Sequence, residues 1–282
     1  MDLIDFLLNL AGLLLWLNWL SVRFDPLARP TAATLAGTLR KAGYPRGRRW
    51  RLALALGGLL LGRTLLYWHI GTAVNWFPSL RLVAITLSFP CDFYSFDRVL
   101  LFSGLSFVVM LVAFYSGLLL LSFLRERTPE GDPFLRLARA HLGWVARWPW
   151  PLRLILPLLV AGGLWLALQP LLTTLAILPR PVSGPHRLEQ ALLIGLGAYL
   201  AWKYFIAGLL TLHIVNSYVF LGNHAFWNFV TVAAHGLLRP LQRLPLRMGR
   251  VDFAPVLGLA LVFVLAEFGS RGLTQLYARL PW

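Results

Sequence analysis

The chain has 282 residues, of which 58% are hydrophobic and only 13% charged, with 24 Gly, 12 Trp and 18 Phe. That leaves too little polar surface for a soluble domain of this length and matches a chain solvated by lipid. A formal net charge of +15 would suit a nucleic-acid domain if it were gathered on one wet face, but here it is spread between apolar stretches, so nucleic acid is not the expected partner.

The apolar stretches cover roughly residues 3–20, 52–74, 99–124, 153–178, 190–221 and 253–270. A helix of about 20 residues crosses the hydrocarbon core, so six spans are expected. The first carries Asp2 and Asp5 where a secretory signal carries Lys or Arg, and no small-residue cleavage site follows it, so it reads as a retained helix. Residues 75–97 are apolar but cut by Pro78 and Pro90, which predicts an aromatic-rich interfacial element rather than a crossing. The fifth stretch is longer than a crossing requires and predicts tilt or an interfacial first turn. Cys91 is the single cysteine, which excludes an internal disulfide and a multi-cysteine metal motif.

Of the 26 basic residues, 18 lie in three alternate connections: Arg23 to Arg51, Arg125 to Arg153, and Arg239, Arg243, Arg247 and Arg250. Only Asp25, Glu126, Glu130, Asp132 and Asp252 oppose them there. With six spans these connections share one side, which the positive-inside rule makes cytoplasmic, with both termini external; the family likeness given below implies a bacterial cytoplasmic membrane as the location. The second connection, DPFLRLARAHLGWVARW from Asp132, puts Phe134, Leu137, Ala138, His141, Leu142, Val145 and Trp148 on one helical stripe and Arg136, Arg139 and Arg147 on another. Asp132 as N-cap and Pro133 in the first turn predict a helix lying among the headgroups, its arginines toward anionic lipid. The stretch from Ala225 predicts a similar helix stopped near Pro240, whereas the first connection has little stripe beyond Leu35 and Leu39.

The third connection carries a family likeness. Leu238, Arg239, Pro240, Leu241, Arg243, Leu244, Pro245, Gly249, Asp252 and Pro255, followed by an apolar span, resemble the signature of the YggT family, also called YlmG, small bacterial and plastid membrane proteins. His235 and Gly236 stand where that family often has Glu-Pro, and Ala254 where it often has Ser. The second hairpin keeps Asp132, Pro133, Phe134, Trp148, Pro149, Trp150, Pro151, Arg153 and Pro157; the first keeps only Asp25, Pro26, Tyr44, Pro45 and a run of arginines. The resemblance implies an all-α membrane protein of three helical hairpins in one transmembrane domain, residues 1–282. Its internal units fall near 1–75, 104–178 and 190–270, each with a basic cytoplasmic amphipathic segment.

Read physically, Pro240 and Pro245 remove backbone donors and end the surface helix. Gly249 permits a tight turn, and Asp252 before Phe253 and Pro255 is expected to cap the returning helix or, alternatively, to build an ionic site with Arg250 or Arg243. Three ionisable residues fall inside spans: Arg63, Lys203 and Glu267. Such groups face protein or water, and two readings stand, structural pairing and an ion pathway. Lys203 and Glu267 lie at compatible depths for a pair, and Arg63 reaches toward Asp5 or Asp97. His69 and His213 differ too much in depth for an axial pair, and His224 and His235 lack a metal-binding framework, so no cofactor or metal is expected and His213 reads as an interhelical hydrogen-bond partner. Gly58 and Gly62 form a GxxxG and, with Gly57, Gly162, Gly163, Gly195, Gly197 and Gly208, predict close helix packing.

No nucleophile elbow, phosphate loop or paired catalytic carboxylates occur, so an enzyme is not expected. The resemblance implies roles in membrane-complex biogenesis, division or nucleoid placement, or osmotic tolerance. Two functions are compatible with it: a structural or assembly subunit bound to partner membrane proteins and anionic lipid, or a small ion or solute transporter or channel.

Overall fold

The computed structural model describes residues 2–21, 46–74, 77–83, 85–89, 96–123, 141–179, 184–219, 225–241, 247–248 and 251–279. Its long helices are α1 (Asp2–Ser21), α2 (Arg46–Val74), α3 (Phe96–Phe123), α4 (Trp150–Thr174), α5 (Gly184–Gly197), α6 (Trp202–Tyr218) and α8 (Ala254–Ala278), with a shorter α7 (Ala225–Leu238). A 3₁₀ turn, Ala198–Ala201, joins α5 and α6 into one span, Gly184–Tyr218. Six of the resulting spans are long and apolar enough to cross a bilayer. The chain is a multi-pass helical membrane protein.

The fold divides into two compact units. The first comprises Met1–Leu80 and Leu87–Leu111, and the second Arg81–Thr86 and Val112–Trp282. In the first, α1 packs on α2, and Gly12 lies under the Phe107 ring, where a Cβ would come within 2.9 Å of Cε2. Tyr67 and Phe89 pack against Phe102 with ring centroids 6.0 and 5.4 Å away, and Ser103 Oγ donates to Leu60 O at 3.1 Å.

In the second unit α4 packs most extensively on α5. The contact is close because a Cβ on Gly162 would stand 2.9 Å from Ala191 O, and one on Gly195 2.6 Å from Leu158 O. Backbones meet this closely only where side chains are absent, as in other membrane helix pairs. Pro157 in α4 cannot donate to the carbonyl four residues earlier. Beside it the Tyr199 hydroxyl donates to Leu154 O. Trp202 Nε1 donates to Ser116 O at 3.0 Å and to Ser116 Oγ at 2.6 Å. Helix α7 buries Phe229, Val230, Ala233, Ala234 and Leu238, a stripe at the helical period that packs with α6 and α8.

Within the segment 75–97, read as an element that does not cross, residues 79–88 form a two-stranded sheet, β1 (Ser79–Leu82) and β2 (Ile85–Ser88), because alternating residues give it one apolar face. Several expectations are corrected. The helix expected to continue from His141 to Trp148 ends at Leu142: Gly143 has φ +52, and a 3₁₀ turn, Gly143–Arg147, follows. Earlier residues of that segment, Arg136 and Arg139 among them, lie outside the described residues. Helix α7 stops at Leu238, two residues before Pro240, as expected. Asp252 is not the cap of α8. It sits in a two-residue antiparallel ladder, β3 (Arg247–Met248) with β4 (Val251–Asp252), opposite Arg247, while Phe253 is the N-cap and Pro255 occupies the first turn. Ladder pairing of its backbone moves Asp252 one residue too early to cap. Pro245 and Gly249 lie outside the described residues.

Candidate functional site

The first unit contains a buried ionic network at Arg63. Asp5 and Asn9 lie one turn apart on α1, Arg63 and Tyr67 one turn apart on α2, and Ser106 on α3, so three helices each contribute polar atoms from one face. Arg63 Nη2 donates to Asp5 Oδ1, and Nη1 donates to Asn9 Oδ1 at 2.7 Å. Asp5 also accepts from Tyr67 Oη at 3.1 Å, Ser106 Oγ at 3.1 Å and Asn9 Nδ2 at 3.3 Å. Asn9 Nδ2 reaches Ser106 Oγ at 2.9 Å. The guanidinium carbon stands 5.3 Å from the Tyr67 ring centroid and 5.7 Å from that of Phe102.

The Arg63 side chain is fully buried and that of Asp5 is 23% exposed. An isolated charge here would be costly, and the carboxylate with its ring of donors offsets that cost. Of the two partners open to Arg63, Asp5 is the one it meets. The sequence analysis names neither Asn9 nor Tyr67 nor Ser106; the spacing of four from Asp5 to Asn9 and from Arg63 to Tyr67 signals the first two, and nothing in the chain signals Ser106.

Lys203 and Glu267 do not pair. Glu267 accepts from Arg271 Nε at 2.7 Å, one turn along α8, and both side chains are exposed. Because α8 continues to Ala278, past the expected end near 270, Arg271 is its nearest cation. Lys203 Nζ lies 4.9 Å from the Tyr204 ring centroid.

The second unit holds three other polar groups within its spans. Gln169 Nε2 donates to Gln190 Oε1 at 3.0 Å, and Gln190 Nε2 lies 3.0 Å from His186 Nε2, a ladder buried between α4 and α5. Arg153, counted with the basic connections, turns inward: Nη1 donates to Ser122 Oγ at 3.2 Å and the guanidinium lies over Phe123 at 5.5 Å. His213 on α6 faces His235 on α7 at 5.2 Å between centroids, and Asn216 Nδ2 lies 3.4 Å from Thr231 Oγ1. The antiparallel spacing of 213 with 235 and 216 with 231 was readable from the chain, but only after α6 and α7 are known to be neighbours.

The expectation of close helix packing holds for Gly162 and Gly195; Gly197 instead meets Val83 of the hairpin, and at Gly57, Gly58, Gly62, Gly163 and Gly208 an added Cβ meets no described residue within 4 Å. Of the basic surface, Arg147 and Arg239 are exposed, Arg247 is placed by its backbone alone, and Arg243 and Arg250 lie outside the described residues. Among the described residues no three His, Cys, Asp or Glu side chains converge as a metal site would require. Compared with known protein families, curated proteins and solved structures, the chain matches none.

Proposed function

We propose that this chain is a YggT-like structural or assembly subunit of a bacterial cytoplasmic membrane. It packs against partner membrane proteins and holds anionic lipid through its basic connections, which face the cytoplasm while both termini face out. The observation that carries this reading is on α2. Gly58 and Gly62, one turn apart, lie on an exposed face with Leu54, Leu61 and Leu65, while Arg63 and Tyr67 point inward. A GxxxG that no described residue covers presents the shallow groove that a second transmembrane helix packs into. The arginine connections add lipid contact, each charge near an anionic surface being worth about 1 kcal/mol.

Substituting Gly58 and Gly62 together by Ile fills that groove. The wild-type chain should carry a membrane protein through gentle-detergent purification, and the double variant should lose it while staying folded. Undiminished co-purification overturns the groove as the partner surface. Ion or solute passage is the second reading, favoured by the 3₁₀ turn in the span Gly184–Tyr218, since interrupted helices line the sites of many transporters. Flux into liposomes that is abolished by Arg63→Leu, with partner association intact, would select it.

A further inference from the structure

Within the second unit, α7 runs back along α6. Asn216 lies against Thr231, His213 against His235, and Leu210 against Leu238, so each step forward on α7 is a step backward on α6. The helix therefore does not lie flat across the ends of the spans. Its last turn is its deepest part.

Two spans fix that depth. A hydrocarbon core of about 30 Å takes about 20 residues at 1.5 Å each, and centred on the span Gly184–Tyr218 it reaches from near residue 191 to near 211. Leu210 then stands at its edge. Centred on Ala254–Ala278, the same core begins near residue 256, and Gly258 stands at its edge too. A Cβ on Gly258 would come within 2.7 Å of Leu238 Cδ2. Both spans thus put Leu238 within about 3 Å of the core boundary. His213 lies about 3 Å outside it, and His235, whose ring faces that of His213 at 5.2 Å, shares its level. The headgroup layer beyond the core is about 5–7 Å thick, so His235 falls among the headgroups.

The exposed face of α7 carries Asn228, Val232, His235 and Gly236, and Arg239 continues it one residue past the helix. His235 and Arg239 are one turn apart, and the long stem of Arg239 carries its guanidinium back toward headgroup depth. The guanidinium offers paired donors that fit a phosphate, and the imidazole N–H adds another. Helices α6, α7 and α8 hold no Asp or Glu before Glu267, in the far half of α8. Asp252, just ahead of α8, stands opposite Arg247 in the β3–β4 ladder.

We propose that His235 and Arg239 form a site for the phosphate of a single anionic lipid, with His213 positioning the His235 ring from α6. The site rests on the lipid contact of the assembly reading and gives it an address. Depth selects the occupant: a pair of donors at this level meets lipid phosphates before it meets anything in the cytoplasm.

Native mass spectrometry of the full chain in detergent tests the site, with phosphatidylglycerol and phosphatidylcholine titrated separately. One phosphatidylglycerol should be retained about tenfold more tightly than phosphatidylcholine. Arg239→Gln should weaken that retention about tenfold, and so should His235→Phe, which keeps a ring against His213. Arg239→Lys should stay within about threefold of the wild type, and Arg147→Gln, an exposed arginine of the second connection, within about twofold. Each variant should keep the wild-type unfolding midpoint in lipid-free detergent; if His235→Phe does not, His235→Gln takes its place. Equal losses for Arg239→Gln and Arg147→Gln overturn the site but leave diffuse lipid contact standing, whereas no preference for phosphatidylglycerol overturns both. Retention unchanged by either His235 variant removes His235 from the site and overturns the pair. Displacement of the lipid by inorganic phosphate overturns the lipid as occupant.

Discussion

Arg63, in α2, donates to the carboxylate of Asp5 in α1, 58 residues earlier, and the two charges share one buried network. The pair ties α1 to α2 at a point where the apolar surfaces by themselves impose no register. Its geometry is that of a structural lock: six donor–acceptor contacts converge on one carboxylate and its neighbours instead of stringing along a path.

Breaking that pair from one side should cost more than removing it whole. Arg63→Met or Asp5→Asn leaves a buried partner without its counter-charge, a loss of about 3–5 kcal/mol, and the double variant should lose less than the sum. Thermal unfolding in detergent measures all three. Strictly additive losses would show that the two side chains do not share the network.

Lys203 and Glu267 should behave in the opposite way. Glu267 is held by Arg271 and Lys203 lies over Tyr204, so Lys203→Met and Glu267→Gln should add to within about 0.5 kcal/mol. A coupling above about 1 kcal/mol would revive a direct pair. Arg271→Gln combined with Glu267→Gln provides the positive control.

The helix contact of α4 with α5 depends on absent side chains. Gly195→Ala would drive a methyl to 2.6 Å from Leu158 O, a backbone atom that cannot step aside, and should destabilise by about 1–3 kcal/mol. Gly163→Ala, one residue from Gly162 but with nothing within 4 Å, should be neutral or slightly stabilising. Equal midpoints for the two variants would contradict the close approach.

Trp202→Phe keeps most of the ring and removes the indole donor shared by Ser116 O and Oγ. The expected loss is about 1–2 kcal/mol, and Ser116→Ala in the same background should add little. Unfolding of the two single variants and the double reads the coupling directly.

Orientation is tested by labelling. In a Cys91→Ser background, a cysteine at Gly131, in the second arginine-rich connection, should be shielded from an impermeant thiol reagent in intact cells and react after permeabilisation. Labelling in intact cells would reverse the sidedness.

The number and order of spans were legible in the chain because hydropathy accumulates along one helix: the expected stretches at 3–20 and 99–124 correspond to Leu3–Leu20 and Phe96–Phe123. So was the need of Arg63 for a partner, since a buried guanidinium must be neutralised wherever it lies. Which carboxylate answered it was not legible, nor that Glu267 turns to Arg271, because both depend on helix rotation. Lipid-facing and protein-facing surfaces are almost equally apolar, so the pattern of a span carries little rotational information. For the same reason Gly58 and Gly62 read like Gly162 and Gly195, yet only the latter two meet a backbone. The hairpin at 79–88 shows the limit most clearly. Its alternation of Ser79, Leu80, Arg81 and Leu82 was present in the sequence, but the approach of Val83 at its tip to Gly197, 114 residues away, was decided by the tertiary structure alone.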